Sequence, residues 1–222
     1  MRIRVQNLSY RYPGSEYALG PARLEVQSGE SVALTGPSGC GKTTFLNLLS
    51  GLMKPDAGTI TVGEVEVEML TAAQARSFRA KKVGHVFQDF GLLDYLSAFD
   101  NILYPHRISA GRHVTTELKS KAEALAQELG VSGQLARRPA QLSHGERQRI
   151  AICRAVLGEP KLLLADEPTG NLDPETKRRI MDVLMAEQKS LQATMITVTH
   201  DHDLLPLFDR VIDFSELAGV AA

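Results

Sequence analysis

The chain has 222 residues, 43% hydrophobic and 23% charged, an ordinary composition for a globular protein with a substantial core. Its 25 basic and 26 acidic residues leave a net charge of −1, which provides no broad cationic face for the phosphates of a nucleic acid. No apolar run reaches the roughly 18 to 20 residues that span a bilayer and MRIRVQNLSY lacks the apolar segment of a secretory signal, so the chain is expected in the cytosol.

From the amino terminus, IRVQNLSYRY (3–12) reads as a strand, and ARLEVQ (22–27) and SVALTG (31–36) as further β structure, with Val32 and Leu34 buried. TTFLNLLSGL (43–52) reads as a helix, and GTITVGEVEV (58–67) alternates around Gly63 like a hairpin. KKVGHVFQ (81–88) predicts another strand ending in a polar residue. From about Leu92 to Leu157 the chain is mostly helical, with Leu118, Ala122, Leu125 and Leu129 forming a core stripe at helical spacing. KLLLA (161–165) is a short apolar run suited to a strand covered on both faces of a parallel sheet. PETKRRIMDVLMAEQKSL (174–191) predicts an amphipathic helix with Pro174 in its first turn. ATMITVT (193–199) repeats the buried-strand pattern, and DRVIDF (209–214) predicts a last strand. Strand, helix, strand implies a βαβ sheet, and because the sheet resumes after the helical stretch, that stretch reads as an inserted subdomain. The carboxyl end, FSELAGVAA, is expected to carry no regulatory domain.

Between the third of these β runs and the first helix lies GPSGCGKTT (36–44), in which Gly36, Gly41, Lys42 and Thr43 satisfy G-x-x-x-x-G-K-[ST]. Glycines allow positive φ and close backbone approach, so that successive N–H groups aim at one anion, and the helix that follows adds its positive dipole end. Lys42 supplies a mobile charge for β- and γ-phosphates, and the Thr43 hydroxyl suits Mg²⁺. The two cysteines form no disulfide framework or metal spacing: Cys153 in RIAICRAVL fills core space, whereas Cys40 beside Lys42 is expected to react with thiol reagents and to be protected by nucleotide.

In open parallel sheets, ligands bind beyond the carboxyl ends of the strands. Three apolar runs stop there in polar residues: SVALTG at the phosphate loop, KLLLA at Asp166 and Glu167, and ATMITVT at His200. Asp166 is placed to hold Mg²⁺ directly or through water, and Glu167, pointing differently, to polarise an attacking water. His200 is either a polar strand exit or a donor to a γ-phosphate; Gln88 is either a loop amide or a group contacting Mg²⁺ and the water.

QLSHGERQRIAICRAVLG carries a second anion site. Ser143 and Glu146 form the S-x-x-E of a capping box, Gly145 permits close backbone approach, and Arg147 and Arg149 follow on the same helix. The phosphate loop already cradles the chain's own nucleotide, so this helix mouth calls for an anion from elsewhere.

In order along the chain, GPSGCGKTT, Gln88, LSHGERQR, LLLADEP, NLDP and His200 resemble the ATPase subunit of ABC transporters, over essentially the whole length. The resemblance implies an α/β fold, a P-loop NTPase with a RecA-like core of mostly parallel sheet, an N-terminal antiparallel β part and an inserted helical subdomain. It implies a single domain over 1–222, with the nucleotide-binding core at 1–90 and 158–222 and the helical subdomain at 91–157. In this family two copies meet head to tail around two ATP molecules, which gives Ser143 and Gly145 the γ-phosphate of the opposite copy as their partner. Tyr12, or alternatively Tyr10, resembles the aromatic that stacks on adenine. The stretch Gly36, Pro37, Ser38, Gly39, Cys40 and Gly41 resembles the Walker A cradle; Lys42, Thr43 and Thr44 resemble its phosphate and Mg²⁺ ligands. Gln88 resembles the residue that links nucleotide and metal to the helical subdomain, Asp166 the Mg²⁺ carboxylate, Glu167 the general base, Asp173 the cross-subunit loop residue and His200 the γ-phosphate sensor. One departure is His144, where the family usually has glycine; a side chain there is expected to alter how closely the dimer shuts.

Within the family, LTAAQARSFRAKKVGHVFQDFGLLDYLSAFDNI and LLLADEPTGNLD are similar to the bacterial lipoprotein-releasing, macrolide-exporting and cell-division ATPases. Those act on a membrane partner whose cytoplasmic helix docks near the loop equivalent to Gln88, and Phe90 to Asn101 reads either as that docking surface or as subdomain core. The implied protein is an ATP-binding and ATP-hydrolysing subunit that moves a membrane permease. It pairs with a second copy of itself, binds no nucleic acid, does not span the membrane, and lies on the inner face of the cell membrane through the permease. The alternative is an ABC-type ATPase of a non-transport complex, relaying force or signal across the membrane or serving a nucleic-acid motor.

Overall fold

A computed structural model describes residues 1–14, 18–109, 113–170 and 172–217. The described strands are β1 (Ile3–Arg11), β2 (Ala18–Val26), β3 (Ser31–Thr35), β4 (Ala57–Val62), β5 (Val65–Glu66), β6 (Val83–Val86), β7 (Leu162–Asp166), β8 (Thr194–Val198) and β9 (Arg210–Asp213). They form an antiparallel sheet in the order β2-β1-β4-β5 and a five-stranded sheet in the order β6-β7-β8-β3-β9. Every pairing in the second sheet is parallel. Because β3, β7 and β8 are neighbours in register, with Leu34 and Asp166 both opposite Val198, their carboxyl ends meet at one edge.

Period-two alternation decides which core each side chain joins. From the parallel sheet, Val32, Leu34, Leu162, Leu164, Ile196 and Val198 point into the cluster shared with the antiparallel sheet and with α1 (Lys42–Leu49). Ala33, Leu163, Ala165 and Met195 point to the other face. That face is covered by α3 (Ala98–Ile108), α4 (Thr116–Glu128), α5 (His144–Leu157) and α6 (Pro174–Leu191). The α4 stripe is buried through Ala122, Leu125 and Leu129, with Leu118 packed against it. Cys153 is fully buried on α5, and burial pushes its thiol up to about 12.

The strand expected at 22–27 begins earlier, at Ala18, and two further boundaries differ from the sequence expectation. The strand expected over 81–88 is only Val83–Val86, because Lys81 and Lys82 close α2 (Ala72–Lys82), a helix the apolar pattern did not announce. It starts at a reciprocal capping box between Thr71 and Gln74 and ends in Arg79, Lys81 and Lys82, cations that suit the negative end of its dipole. The first helix, expected to run to Leu52, stops at Leu49, where Gly51 turns left-handed at φ 65°. A short helix, α7 (Phe214–Leu217), packs Phe214 against Phe45. Asn171 of NLDP and 218–222 of the carboxyl end lie outside the described residues. No helix among the described residues is long and apolar enough to cross a membrane.

Candidate active site

The loop between β3 and α1 takes its shape from glycine. Gly36, Gly39 and Gly41 have φ of 130°, 82° and 96°, conformations that side-chain-bearing residues rarely adopt. Lys42 is buried, and its Nζ donates to the Gly36 carbonyl at 2.7 Å and the Pro37 carbonyl at 2.8 Å, so the loop curls around the ammonium group. Cys40 is buried too, with Sγ 3.6 Å from Nζ, which places the thiol inside the loop and not on its surface. Thr44 is buried and shares a hydrogen bond of 3.2 Å with the hydroxyl of exposed Tyr12; the Tyr10 ring meets Tyr12 edge-on at 5.0 Å.

Asp166 ends β7 only 2% exposed, and neither carboxylate oxygen has a hydrogen-bond partner of ordinary geometry. Burial raises its pKa, opposed by the Thr43 hydroxyl and the Lys42 charge. An orphaned buried carboxylate beside a hydroxyl is a hard-oxygen donor set that fits Mg²⁺, which usually takes one or two carboxylates and completes its shell with water and phosphate oxygens. No cluster of three His, Cys, Asp or Glu suited to a metal occurs among the described residues.

Glu167 follows with φ 50°, a left-handed conformation that costs a residue of this type about 1 to 2 kcal/mol. Its peptide is held on both sides: the N–H donates to Val198 O at 3.0 Å, and the carbonyl accepts from Gly170 N at 3.1 Å and Gln148 Nε2 at 3.1 Å. The turn carries the side chain to within 2.9 Å, Oε1 to Nδ1, of His200; Glu167 is 13% exposed there and His200 67%. Burial first, and the Asp166 charge second, push the Glu167 carboxyl up to about 7 against the pull of Lys42. A carboxyl with that pKa is poised to exchange a proton near neutrality.

Gln88, Phe90, His144, Gln148, Glu167 and His200 line one cavity of about 640 Å³. It brings Gln88, Glu167 and His200 together. The phosphate loop (36–44), Asp166, Ser143, Gly145, Asp173 and Tyr12 do not line it. Ser143 caps α5, accepting from Glu146 N at 3.3 Å while its own N–H reaches Glu146 Oε2 at 2.7 Å. Asp173 caps α6, accepting from Thr176 N at 2.9 Å, and this bond lowers its pKa. Both Ser143 and Asp173 are exposed.

His144 packs edge-on against the Phe90 ring at 4.7 Å, with the Arg147 guanidinium 5.7 Å from the same ring. Phe90 is itself left-handed at φ 65°, and its carbonyl and that of Gly91 accept from the half-buried Arg154 guanidinium. The loop after Gln88 is thus fastened to α5 at two levels. Sequence reasoning missed Phe90, Gln148 and Arg154 in this arrangement; the cluster of LSHGERQR was visible, but nothing local says which of its polar side chains turns inward. The segment from Phe90 to Asn101 divides: Ala98 and Asn101 are buried, Asn101 pinning the loop through Leu93 N at 2.7 Å, while Tyr95 is 68% exposed.

A sequence model described as ABC transporter matches residues 19–170. The chain belongs to the ABC transporter family. Among its relatives, the cassette is 42% identical to the macrolide export ATP-binding/permease protein MacB of Rhodopirellula baltica, over 85% of this chain but only 28% of that protein. It is 39% identical to the lipoprotein-releasing system ATP-binding protein LolD of Legionella pneumophila, over 87% of this chain and 84% of LolD. The dimeric structure of the ATP-binding cassette MJ0796 in a post-hydrolysis state with ADP and Pi superposes with a TM-score of 0.90 at 30% identity, covering 99% of this chain and 97% of that one. The fold is that of an ABC cassette, a P-loop NTPase, and the cassette is an ATPase of this family.

Proposed function

We propose that the cassette is the motor subunit of a bacterial ABC transporter, in which ATP-driven pairing of two copies moves a membrane permease. The observation that carries this reading is the division of the anion-binding parts. The phosphate loop, Asp166, Glu167 and His200 gather at one sheet edge, whereas Ser143 at the capped mouth of α5 and the Asp173 cap of α6 are exposed and away from that edge's strand ends, suited to a second copy. The names of the relatives, which include an ATP-binding/permease protein and a lipoprotein-releasing ATP-binding protein, and the dimeric neighbour support it. The proposed division into a core (1–90 and 158–222) and a helical subdomain (91–157), and attachment to the inner face of the membrane through the permease, belong to the same reading.

In the proposed mechanism Lys42 and the N–H groups of 36–44 bind the β- and γ-phosphates, with Tyr12 against the adenine. Thr43, Asp166 and Gln88 would hold Mg²⁺, which supplies Lewis-acid stabilisation of phosphate charge when bound. Glu167 takes the proton of the attacking water, and His200 donates to the γ-phosphate while keeping the Glu167 carboxylate oriented. Ser143 and Gly145 of the opposite copy bind the same γ-phosphate, so that ATP holds the closed pair more tightly than ADP does, and that difference is what performs work on the permease.

Glu167→Gln tests the assignment. Turnover is expected to fall about 10²- to 10⁴-fold, roughly 3 to 5 kcal/mol of barrier, and light scattering with saturating ATP is expected to show a dimer. Wild-type turnover in this variant overturns the role of Glu167; a strictly monomeric variant, with and without the copurified membrane partner, overturns the pairing.

A further inference from the structure

Gln148 lies on α5 five residues beyond Ser143, about 7.5 Å along the helix axis. It is 3% exposed, and its Nε2 donates to the Glu167 carbonyl at 3.1 Å, joining positions 19 apart. Its Oε1 is buried with no protein partner. As a core filler this side chain is a poor choice, since methionine or leucine would occupy the space without a half-satisfied amide. What the amide provides is a donor. The peptide it grips is the one whose left-handed turn, φ 50°, aims Glu167 at His200. The other bonds to the backbone of that residue come from Val198 and Gly170, on the strand and the loop around it. Gln148 reaches it from the helix whose first turn carries Ser143 and His144.

We propose that Gln148 is a positioning residue for Glu167, and that through it the state of the α5 mouth in one composite site sets the alignment of the base in the other. The second clause rests on the paired reading above. A fourteen-residue helix moves as a unit, so a shift of its first turn when an anion docks at Ser143 is carried to the Glu167 carbonyl by a single hydrogen bond. Each cassette then aligns its own base only when its helix mouth is engaged by the other copy's nucleotide.

Gln148→Met keeps the volume and removes the donor, and the Glu167 carbonyl retains Gly170 N as partner, so the fold is expected to persist with its thermal midpoint nearly unchanged. In the full chain, kcat is expected to drop about 10- to 100-fold, as a misplaced base does, with the KM for ATP unchanged within about twofold. ATP-induced dimerisation, read by light scattering in the Gln148→Met, Glu167→Gln double variant, is expected to match that of Glu167→Gln alone. Wild-type kcat in Gln148→Met overturns the proposal, as does a parallel fall of kcat, ATP affinity and thermal midpoint, which marks a merely structural role. If Glu167→Gln itself never dimerises, the paired reading and the communication between sites fail together, while the kcat of Gln148→Met still decides the positioning role.

Discussion

His200 Nδ1 stands 2.9 Å from Glu167 Oε1, an exposed imidazole against a carboxyl that burial and Asp166 raise to about 7. As a base Glu167 works only when ionised, so kcat/KM for ATP, which reports the nucleotide-free enzyme, is expected to rise with pH to a plateau, with its half-point near 7. A kcat/KM profile with its acid limb near 4.5, the ordinary value, removes Glu167 from that role.

The same raised carboxyl makes stability depend on pH. Between about 4.5 and 7 the folded chain holds a proton on Glu167 that the unfolded chain has lost, so this site's contribution to stability declines as pH rises through that window. Discounted for partial access of solvent, the loss is roughly 1 to 2 kcal/mol. Glu167→Gln, which cannot ionise, is therefore expected to unfold at higher urea than wild type at pH 8 and at the same urea at pH 4, both without nucleotide. Equal midpoints at pH 8 contradict this.

Asp166 is a buried acid with unsatisfied oxygens, and desolvation disfavours its charge. Asp166→Asn is expected to leave the nucleotide-free protein at least as stable as wild type while abolishing Mg²⁺-dependent turnover. Thermal melts and rates measured with and without chelator check both halves; a less stable but active variant refutes the assignment.

Arg154 and His144 fasten the same loop with different strength. Arg154→Met removes the donor from the part-buried carbonyl of Phe90 and from the exposed carbonyl of Gly91 and is expected to cost about 1 to 3 kcal/mol in urea unfolding. His144→Ala removes one exposed ring edge and is expected to cost about 0.5 to 1 kcal/mol. The reverse order contradicts the packing described.

Two glycines separate packing from function. A Cβ on Gly84 would lie 2.3 Å from the Ala155 carbonyl oxygen and 2.9 Å from Leu163 and Pro160 side chains, so Gly84→Ala is expected to destabilise by about 1 to 3 kcal/mol or more. At Gly145 the obstacle is the end of the Leu172 side chain, 2.9 Å away, which can swing aside. Gly145→Ala is expected to keep its melting temperature and to lose ATP-driven pairing.

The sequence by itself determined everything that is periodic or locally chemical. Glycine at three left-handed positions and a lysine that loops back on its neighbours made the phosphate loop legible, and burial on both faces made β3, β7 and β8 legible. Once those strands are parallel neighbours, the meeting of Asp166, Glu167 and His200 at one edge follows from their shared direction and register. Tertiary structure decided what has no period. Gln148 on Glu167, Arg154 on Phe90 and Tyr12 on Thr44 join positions 19, 64 and 32 apart through a side chain's reach to one distant group, and residue spacing carries no signal for such a bond. The pKa of Glu167 belongs with them, because desolvation is set by the walls that the rest of the chain builds around it.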